Sequence, residues 1–209
     1  MKPSDTQFRK VNRIVGGMAI RKQSDPPTIF GTLGMVVRFA GLSHYLTNSH
    51  IAGEKETVIV APPGADHPVV VGRTRRSELN ATVDAAIISK GGVPFSPTIL
   101  GVDTDKFRPY KAETGDSVLC VGASADITEG IVYSVSGGIT RSDQVFVNQL
   151  LIRSADNSPV TDEGNSGGMV LLPLDDGWMG VVGLVHSISD GMAVASHFYD
   201  VQRHLGILV

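Results

Sequence analysis

Short apolar runs separated by glycine and proline recur along the whole chain. Valine and isoleucine are frequent in these runs and favour strands, whereas the glycines and prolines between the runs favour turns. The pattern therefore predicts an all-β chain of about eleven or twelve strands. The predicted strands cover residues 33–39, 44–47, 57–61, 69–72, 83–89, 117–122, 130–136, 145–153, 168–172, 178–186 and 192–195.

Helical spacing of apolar residues is clear only at the carboxyl end. There Phe198, Val201 and Leu205 lie three and four residues apart, and Gly206 is placed to end the helix. Short strands at the observed spacing suit a sandwich, one large barrel or two small barrels, and periodicity alone leaves these three architectures open.

The chain is expected to divide near its middle. Charged residues interrupt the apolar runs between Gly101 and Gly115, which predicts a linker between two β halves. The predicted organisation is an N-terminal segment with the first strand at 1–30, a first β half at 31–102, the linker at 103–115, a second β half at 116–197 and a C-terminal helix at 198–209.

Composition narrows the classes of function. The 209 residues are 42% hydrophobic and 19% charged, which is a globular mixture, and no stretch approaches the length of a membrane span. The net charge of −3 gives no electrostatic argument for a nucleic-acid or membrane-surface partner. The one cysteine, Cys120, cannot form an internal disulfide, and the N-terminus lacks the apolar core of a secretory signal. We therefore expect a cytoplasmic protein.

Three polar residues have surroundings that suggest chemistry. Ser166 lies among glycines in the segment 162–168, and such glycines leave backbone N–H groups open to an anion. His50 directly follows a short β-prone run. Asp84 lies within an apolar strand, where a carboxylate without donors is costly to bury, so a partner is required. The serine and the histidine also have structural explanations, as a strand-entry turn and as a packed core residue.

Taken together, the three residues supply the parts of an acyl-transfer site. Ser166 is the predicted nucleophile, His50 the general base, and Asp84 the carboxylate that fixes the imidazole tautomer and stabilises imidazolium. Their order along the chain is His, Asp, Ser.

The segments around these residues resemble the chymotrypsin (trypsin-like) serine peptidase family, most closely its disulfide-poor bacterial members. Leu46-Thr47-Asn48-Ser49-His50 is similar to the family's Leu-Thr-Ala-Ala-His, and Val83-Asp84-Ala85-Ala86-Ile87 to its Asp-aliphatic strand. Gly164-Asn165-Ser166-Gly167-Gly168 is similar to its Gly-Asp-Ser-Gly-Gly. The resemblance covers the chain from about Gly31 to Leu208.

This resemblance implies a fold and a set of site residues. It implies two six-stranded antiparallel β-barrels, with the histidine and the aspartate on the first, the serine on the second, and the active site in the crevice between them. The backbone N–H groups of Gly164 and Ser166 would form the oxyanion hole. Val160 would lie at the floor of the substrate pocket, and His186 on the strand that lines it.

The substrate pocket implied in this way has an apolar floor. A floor at Val160 argues against a strict preference for Lys or Arg, because a cation would be buried without a counter-charge, although Asp156 and Asp162 lie close enough in sequence to supply one. His186 is expected either as a hydrogen-bonded residue at the barrel edge or as a pocket wall that accepts acidic or polar side chains.

The sequence departs from the family pattern at Asn165, where the family has an aspartate. In secreted trypsin-like enzymes that aspartate pairs with a new N-terminus released by cleavage. The segment 13–17, Arg-Ile-Val-Gly-Gly, resembles such an activation site, but neutral Asn165 cannot form the ion pair. Ile14 and Val15 are therefore predicted to lie in an ordinary first strand.

The function predicted from these observations is that of a serine endopeptidase acting on protein or peptide substrates, without cofactor or metal, since the remaining histidines show no metal-ligand spacing. Two alternatives stay open. The Gly-x-Ser-x-Gly spacing also matches the nucleophile elbow of α/β-hydrolases, but a strand-like run follows Ser166 and the alternating helices of that fold are missing. The other alternative is a catalytically silent trypsin-like domain that binds a peptide or a partner protein.

Overall fold

The computed structural model describes residues 13–61, 68–124, 127–141, 143–154 and 160–209. Within these ranges the chain is built from strands, with two short helices, α1 (Ser49–Ala52) and α2 (Phe198–Leu205). The strands are β1 (Ile14–Gly16), β2 (Ala19–Lys22), β3 (Gly31–Thr32), β4 (Val36–Phe39), β5 (Leu42–Thr47), β6 (Val58–Ala61), β7 (Val69–Leu79), β8 (Asp84–Ser89), β9 (Phe95–Ile99), β10 (Phe107–Pro109), β11 (Ser117–Val121), β12 (Thr128–Arg141), β13 (Gln144–Arg153), β14 (Met169–Pro173), β15 (Met179–Ser189) and β16 (Met192–His197).

The first sheet is open and has the strand order β3-β2-β6-β7-β8-β5-β4. Its interior strand β8 is almost completely buried, which agrees with its continuous run of alanine and isoleucine. Strand β5 pairs antiparallel with β8, and this register sets Thr47 opposite Ala86. The helix α1 follows β5 directly, so the end of β5 and the beginning of β8 bring His50 next to Asp84.

The second sheet closes on itself. Its strands follow the order β10-β15-β14-β11-β12-β13-β16, and an additional pairing between β15 and β16 completes a ring of six antiparallel strands. Closure of this kind gives every strand of the ring a partner on each side over at least part of its length. The remaining strand, β10, pairs parallel with the first residues of β15. The ring agrees with the six strands expected for the second half.

The boundaries of the two sheets differ in detail from the predicted ones. Strand β2 belongs to the first sheet although it precedes residue 31, and β10 lies inside the segment predicted as a linker. The first strand predicted at Ile14 is confirmed, because β1 pairs parallel with β9 and Ile14 is completely buried. The predicted C-terminal helix is confirmed as α2, which ends at Gly206 in the left-handed conformation with φ 68°.

Apolar packing joins the two sheets. One buried cluster lies within the first sheet and another within the ring, and a third combines residues of both, including Leu46 and Ile87 from the first sheet with Met169 and Leu184 from the second. Phe198 of α2 packs into this shared cluster. No helix in the described part of the chain is long and apolar enough to cross a lipid bilayer.

A buried threonine adds hydrogen bonds between the sheets. The hydroxyl of Thr32, in β3, donates to the carbonyl of Gly164 at 2.8 Å and accepts the N–H of Ala123 at 2.9 Å. The N–H of Thr32 donates to the carbonyl of Ser166 at 2.7 Å. The loop that carries Ser166 is thus held against the first sheet by backbone and side-chain bonds.

The substitution Thr32→Val is expected to lower the free energy of unfolding by about 1–3 kcal/mol, because it keeps the side-chain shape but removes both hydroxyl bonds from a buried position. Urea unfolding measures this change. The control is Thr140→Val at an exposed position of β12, which should stay within about 0.5 kcal/mol of the unsubstituted protein. An equally small effect at Thr32 would contradict the role given to its hydroxyl.

Candidate active site

The structure brings His50 and Asp84 into direct contact. The carboxylate of Asp84 is completely shielded from solvent, and its Oδ2 accepts a hydrogen bond from the Nδ1 of His50 at 2.6 Å. Its Oδ1 accepts the backbone N–H of His50 at 3.2 Å. The side-chain amide of Asn48 donates to the backbone carbonyl of Asp84 at 2.7 Å and so ties the two segments together. The donors that a buried carboxylate requires are thus supplied largely by the predicted general base.

Two opposing effects act on the acidity of Asp84. Burial raises its pKa, but the hydrogen bonds and the positive charge of His50 outweigh burial and hold the pKa of Asp84 below its ordinary value. The carboxylate is therefore ionised at neutral pH. An ionised Asp84 keeps the proton of the neutral imidazole on Nδ1, which leaves Nε2 of His50 as a hydrogen-bond acceptor.

Ser166 lies in the loop before β14, on the second sheet. Two glycines of this loop, Gly164 and Gly167, have φ +93°, and a Cβ on Gly167 would lie 2.1 Å from the carbonyl oxygen of Thr32. The hydroxyl of Ser166 donates to the carbonyl of His186 at 3.2 Å. In the described part of the chain no hydrogen bond joins Ser166 to His50, so the expected contact between nucleophile and base is not formed in this structure.

The backbone N–H groups predicted for the oxyanion hole have no acceptor among the described residues. The neighbouring amides do have acceptors, since Asn165 donates to the carbonyl of Asp162 and Gly167 to that of Val185. The N–H groups of Gly164 and Ser166 take part in no such bond within the described ranges.

Asn165 has a structural explanation in this loop. Its side chain is buried, and its Oδ1 accepts both the N–H and the hydroxyl of Ser124, at 2.9 and 2.7 Å. The amide thus holds two loops of the second sheet together. Ile14 lies within the parallel strand pair of β1 and β9, with its N–H bonded to the carbonyl of Pro94.

A residue that sequence reasoning missed also contacts Asp84. Arg141, the last residue of β12, places its Nη1 3.3 Å from Oδ2 of Asp84 and 3.2 Å from the carbonyl oxygen of His186. Its side chain is 34% exposed. No motif marks Arg141 in the sequence, because the β12–β13 hairpin meets the first sheet only in the folded chain.

A cavity of about 350 Å³ opens beside Ser166. Val160 does not line it, because Val160 is buried in the core of the ring with its carbonyl accepting the hydroxyl of Thr128. The floor predicted at Val160 therefore lies outside this cavity, and Asp156 lies outside the described residues. The lining consists of Arg141, Thr161, Asp162, Glu163, Ser166, Val185, His186, Ser187 and Ile188. Two of these residues, Asp162 and Glu163, carry carboxylates. The argument from an apolar floor against a cationic substrate side chain therefore does not apply to this cavity.

Comparison with known proteins identifies the architecture. No family model and no curated protein matches the sequence. Solved structures do match: a glutamic acid specific serine protease, described as using a histidine triad in substrate binding, has 19% identity and a TM-score of 0.72 over 94% of this chain and 100% of its own. Protease A of Thermobifida fusca has 16% identity and a TM-score of 0.71 over 94% of this chain and 97% of its own. The chain has the chymotrypsin-like fold.

A third match points the same way. The protease of Nocardiopsis has 14% identity and a TM-score of 0.70 over 94% of this chain and 98% of its own. The predicted all-β fold class is thereby confirmed. At these identities the likeness concerns the chymotrypsin-like fold and leaves the chemistry to be argued from the residues present.

His186 is buried in this fold, and both nitrogens of its ring have hydrogen-bond partners. Its ring is 1% exposed, its Nε2 donates to Oε1 of Gln149 at 2.9 Å, and it stacks on Phe146 with the ring centroids 4.8 Å apart. The hydroxyl of Ser187 lies 3.1 Å from its Nδ1. Of the two roles expected for His186, the structure shows the hydrogen-bonded one, and it is the backbone carbonyl that faces Ser166.

Burial also determines the charge of His186. Desolvation lowers its pKa to about 4, with the charges of Arg141 and His50 acting in the same direction and that of Asp84 against it. The ring is therefore neutral at pH 7. In the described part of the chain no group of three or more His, Cys, Asp or Glu side chains is arranged to hold a metal ion.

The low pKa of His186 predicts a loss of stability in mild acid. The unfolded chain binds a proton at histidine near pH 6.5, whereas folded His186 binds one only near pH 4, so its contribution is complete above pH 6.5 and is lost as the pH falls towards 4. In His186→Gln, the fall in the free energy of unfolding between these pH values should be smaller by up to about 3 kcal/mol. Urea unfolding at a series of pH values measures this difference.

The matched control is His197→Gln, which removes a histidine whose ring bonds to the carbonyl of Val135 and leaves His186 in place. This variant should retain the acid-side loss of the unsubstituted protein. If His186→Gln loses stability as steeply as the unsubstituted protein between pH 6.5 and 4, His186 is not the group responsible.

Proposed function

We propose that this protein is a serine endopeptidase in which Ser166, His50 and Asp84 form the catalytic triad. The observation that carries the proposal is the 2.6 Å bond between Nδ1 of His50 and Oδ2 of the buried Asp84, in a chain of chymotrypsin-like fold whose second sheet presents Ser166. This bond gives the imidazole the tautomer that a general base needs.

The reaction follows from these roles. Nε2 of His50 takes the hydroxyl proton of Ser166 while its Oγ forms a bond to the carbonyl carbon of the substrate. The proton then passes to the leaving nitrogen as the peptide C–N bond breaks, and water hydrolyses the resulting ester by the same steps. Asp84 stays ionised throughout and stabilises the imidazolium. The open N–H groups of Gly164 and Ser166 are the donors for the oxyanion, each worth about 2.7–4 kcal/mol in the transition state.

One local change must precede catalysis. The hydroxyl of Ser166 donates to the carbonyl of His186 in the resting structure, and it has to turn towards His50 before it can lose its proton. Rotation about the Cα–Cβ bond of Ser166 redirects its hydroxyl, and catalytic hydrogen bonds often tighten only when substrate is bound.

The edge of β15 suits a peptide substrate. Its pairing with β14 ends at Leu184, and the last residues of β15 pair only with β16 among the described strands. An extended peptide can therefore add to the free edge at residues 187–189 by main-chain hydrogen bonds. Its side chain at the cleaved bond would enter the cavity beside Ser166, where Arg141, Asp162 and Glu163 provide the charges.

The catalytically silent binding domain is the second candidate. The absence of a hydrogen bond between Ser166 and His50 in the described structure favours it, because a serine held by the carbonyl of His186 is not activated. The free edge of β15 would serve a bound peptide equally well in this case.

A fluorophosphonate probe separates the two candidates. A peptidase should be labelled at Ser166, because the probe reacts only with an activated hydroxyl, and Ser166→Ala should not be labelled. Ser136→Ala, at an exposed position of β12, is the matched control and should be labelled like the unsubstituted protein. Mass spectrometry of the digested protein locates the label. No labelling of the unsubstituted protein would favour the binding domain.

The carboxylate has its own test. Asp84→Asn should lower kcat on a peptide library by about 10⁴, because the amide holds the imidazole in the wrong tautomer. Asp176→Asn, which removes a surface ion pair with Arg108 and leaves an amide oxygen for the N–H of Trp178, should keep full activity. Circular dichroism checks that both variants fold. A folded Asp84→Asn protein with unchanged turnover would exclude the assigned role.

A further inference from the structure

Arg141 links the two halves of the candidate site. It belongs to the second sheet, whereas its partner Asp84 belongs to the first, and no other described ion pair joins the two sheets. The guanidinium also lines both the cavity beside Ser166 and a smaller one of about 170 Å³ beside His50. Arg141 thus lies on the boundary between the predicted base and the predicted nucleophile.

Two acceptors are each shared between Arg141 and a predicted catalytic group. Oδ2 of Asp84 accepts from His50 at 2.6 Å and from Nη1 of Arg141 at 3.3 Å. The carbonyl of His186 accepts from Ser166 and from the same Nη1, both at 3.2 Å. Because each terminal guanidinium nitrogen carries two hydrogens, Nη1 can donate to both acceptors at once.

We propose that Arg141 is a positioning residue of this site: it holds the Asp84 carboxylate and the His186 carbonyl in register across the crevice, and its positive charge opposes a second positive charge on His50. The contribution of Arg141 to catalysis rests on the proposed peptidase function. Its effect on the charge and geometry of the His50 and Asp84 pair does not depend on that function.

The electrostatic part of the proposal follows from the positions of His50 and Arg141, which contact the same oxygen of Asp84. Asp84 stabilises a proton on His50, but the permanent charge of Arg141 beside the same oxygen offsets part of that stabilisation. Removing the arginine charge should therefore make the imidazole easier to protonate.

The other charged groups near this pair make contacts of their own. His186 is neutral because burial lowers its pKa to about 4. On the strands packed against α1, Lys22 pairs with Asp25, Arg76 with Glu78, and Arg75 with Glu56. The remaining charged side chains on those strands are Arg21, which donates to three backbone carbonyls of its own turn, and Arg73, which donates to the carbonyl of Glu56. Arg141 is thus the permanently charged side chain that contacts the Asp84 carboxylate directly.

The geometric part depends on the shape of the side chain. A guanidinium presents its hydrogens in a fixed plane, so one group can hold two acceptors at a set separation, whereas a lysine ammonium acts as a single flexible charge. Lysine at this position should therefore restore the charge without restoring the registration of Asp84 and His186. This difference allows the two parts of the proposal to be tested separately.

The charge is tested by following the His50 ring titration by NMR in Arg141→Gln. The midpoint should move to higher pH by about half to one pH unit, because one positive charge is lost at the carboxylate. Arg141→Lys should return the midpoint close to that of the unsubstituted protein. Arg141→Met serves as a second neutral variant if the glutamine variant does not fold. An unmoved or lowered midpoint, or a lysine variant that behaves like the neutral ones, overturns the proposal.

The positioning is tested by kinetics on the same variants. Arg141→Gln should lower kcat at its own optimum pH by about tenfold, and the acid limb of the pH profile should move in step with the NMR midpoint. Arg141→Lys should restore the acid limb but not kcat. An unchanged kcat in the neutral variants, or full recovery of kcat by lysine, overturns the positioning role.

The control variant is Arg153→Gln, which removes an exposed arginine stacked on Tyr133 at the end of β13 and should change neither readout. The titration needs no turnover, so the two proposals fail in different ways. A shifted midpoint in a protein that the fluorophosphonate probe never labels would reject the peptidase and leave the charge coupling standing. A labelled protein with an unmoved midpoint would reject the role of Arg141 alone.

Discussion

A fully buried carboxylate requires donors, and the site is arranged around that requirement. Asp84 has no contact with solvent, so the free energy of its ionised form depends on the groups that reach it. His50 meets both of its oxygens, one through the ring and one through the backbone, and Arg141 adds a third donor from the opposite sheet. Ionisation of the carboxylate, the imidazole tautomer and the alignment of the two sheets are therefore coupled properties.

This coupling depends on the packing that holds the two sheets together. The apolar cluster shared by the two sheets and the hydrogen bonds of Thr32 fix the loop of Ser166 relative to β8 within narrow limits. Against this rigid background the hydroxyl of Ser166 retains one rotatable bond. The site thus combines a preformed pair of His50 and Asp84 with a Ser166 hydroxyl that is turned towards the carbonyl of His186.

The parts of the site that sequence reasoning anticipated have local signatures. Glycines on both sides of Ser166, a histidine after a β-prone run and an aspartate inside an apolar strand are each visible within a few residues. Arg141 and the cavity lining have no such signature. The family resemblance implies Val160 at the pocket floor, but in the fold its side chain points into the ring, and Thr161, Asp162 and Glu163 line the cavity instead.

The amino-acid sequence by itself determined the all-β class, the C-terminal helix and the identity of three candidate groups, because strand propensity, helical spacing and the cost of burying a carboxylate are local properties. The tertiary structure decided which of these groups touch. The bond between His50 and Asp84, the present direction of the Ser166 hydroxyl and the reach of Arg141 across the crevice depend on contacts between residues far apart in the chain. Such contacts are set by the packing of two sheets, which no single segment of the chain specifies.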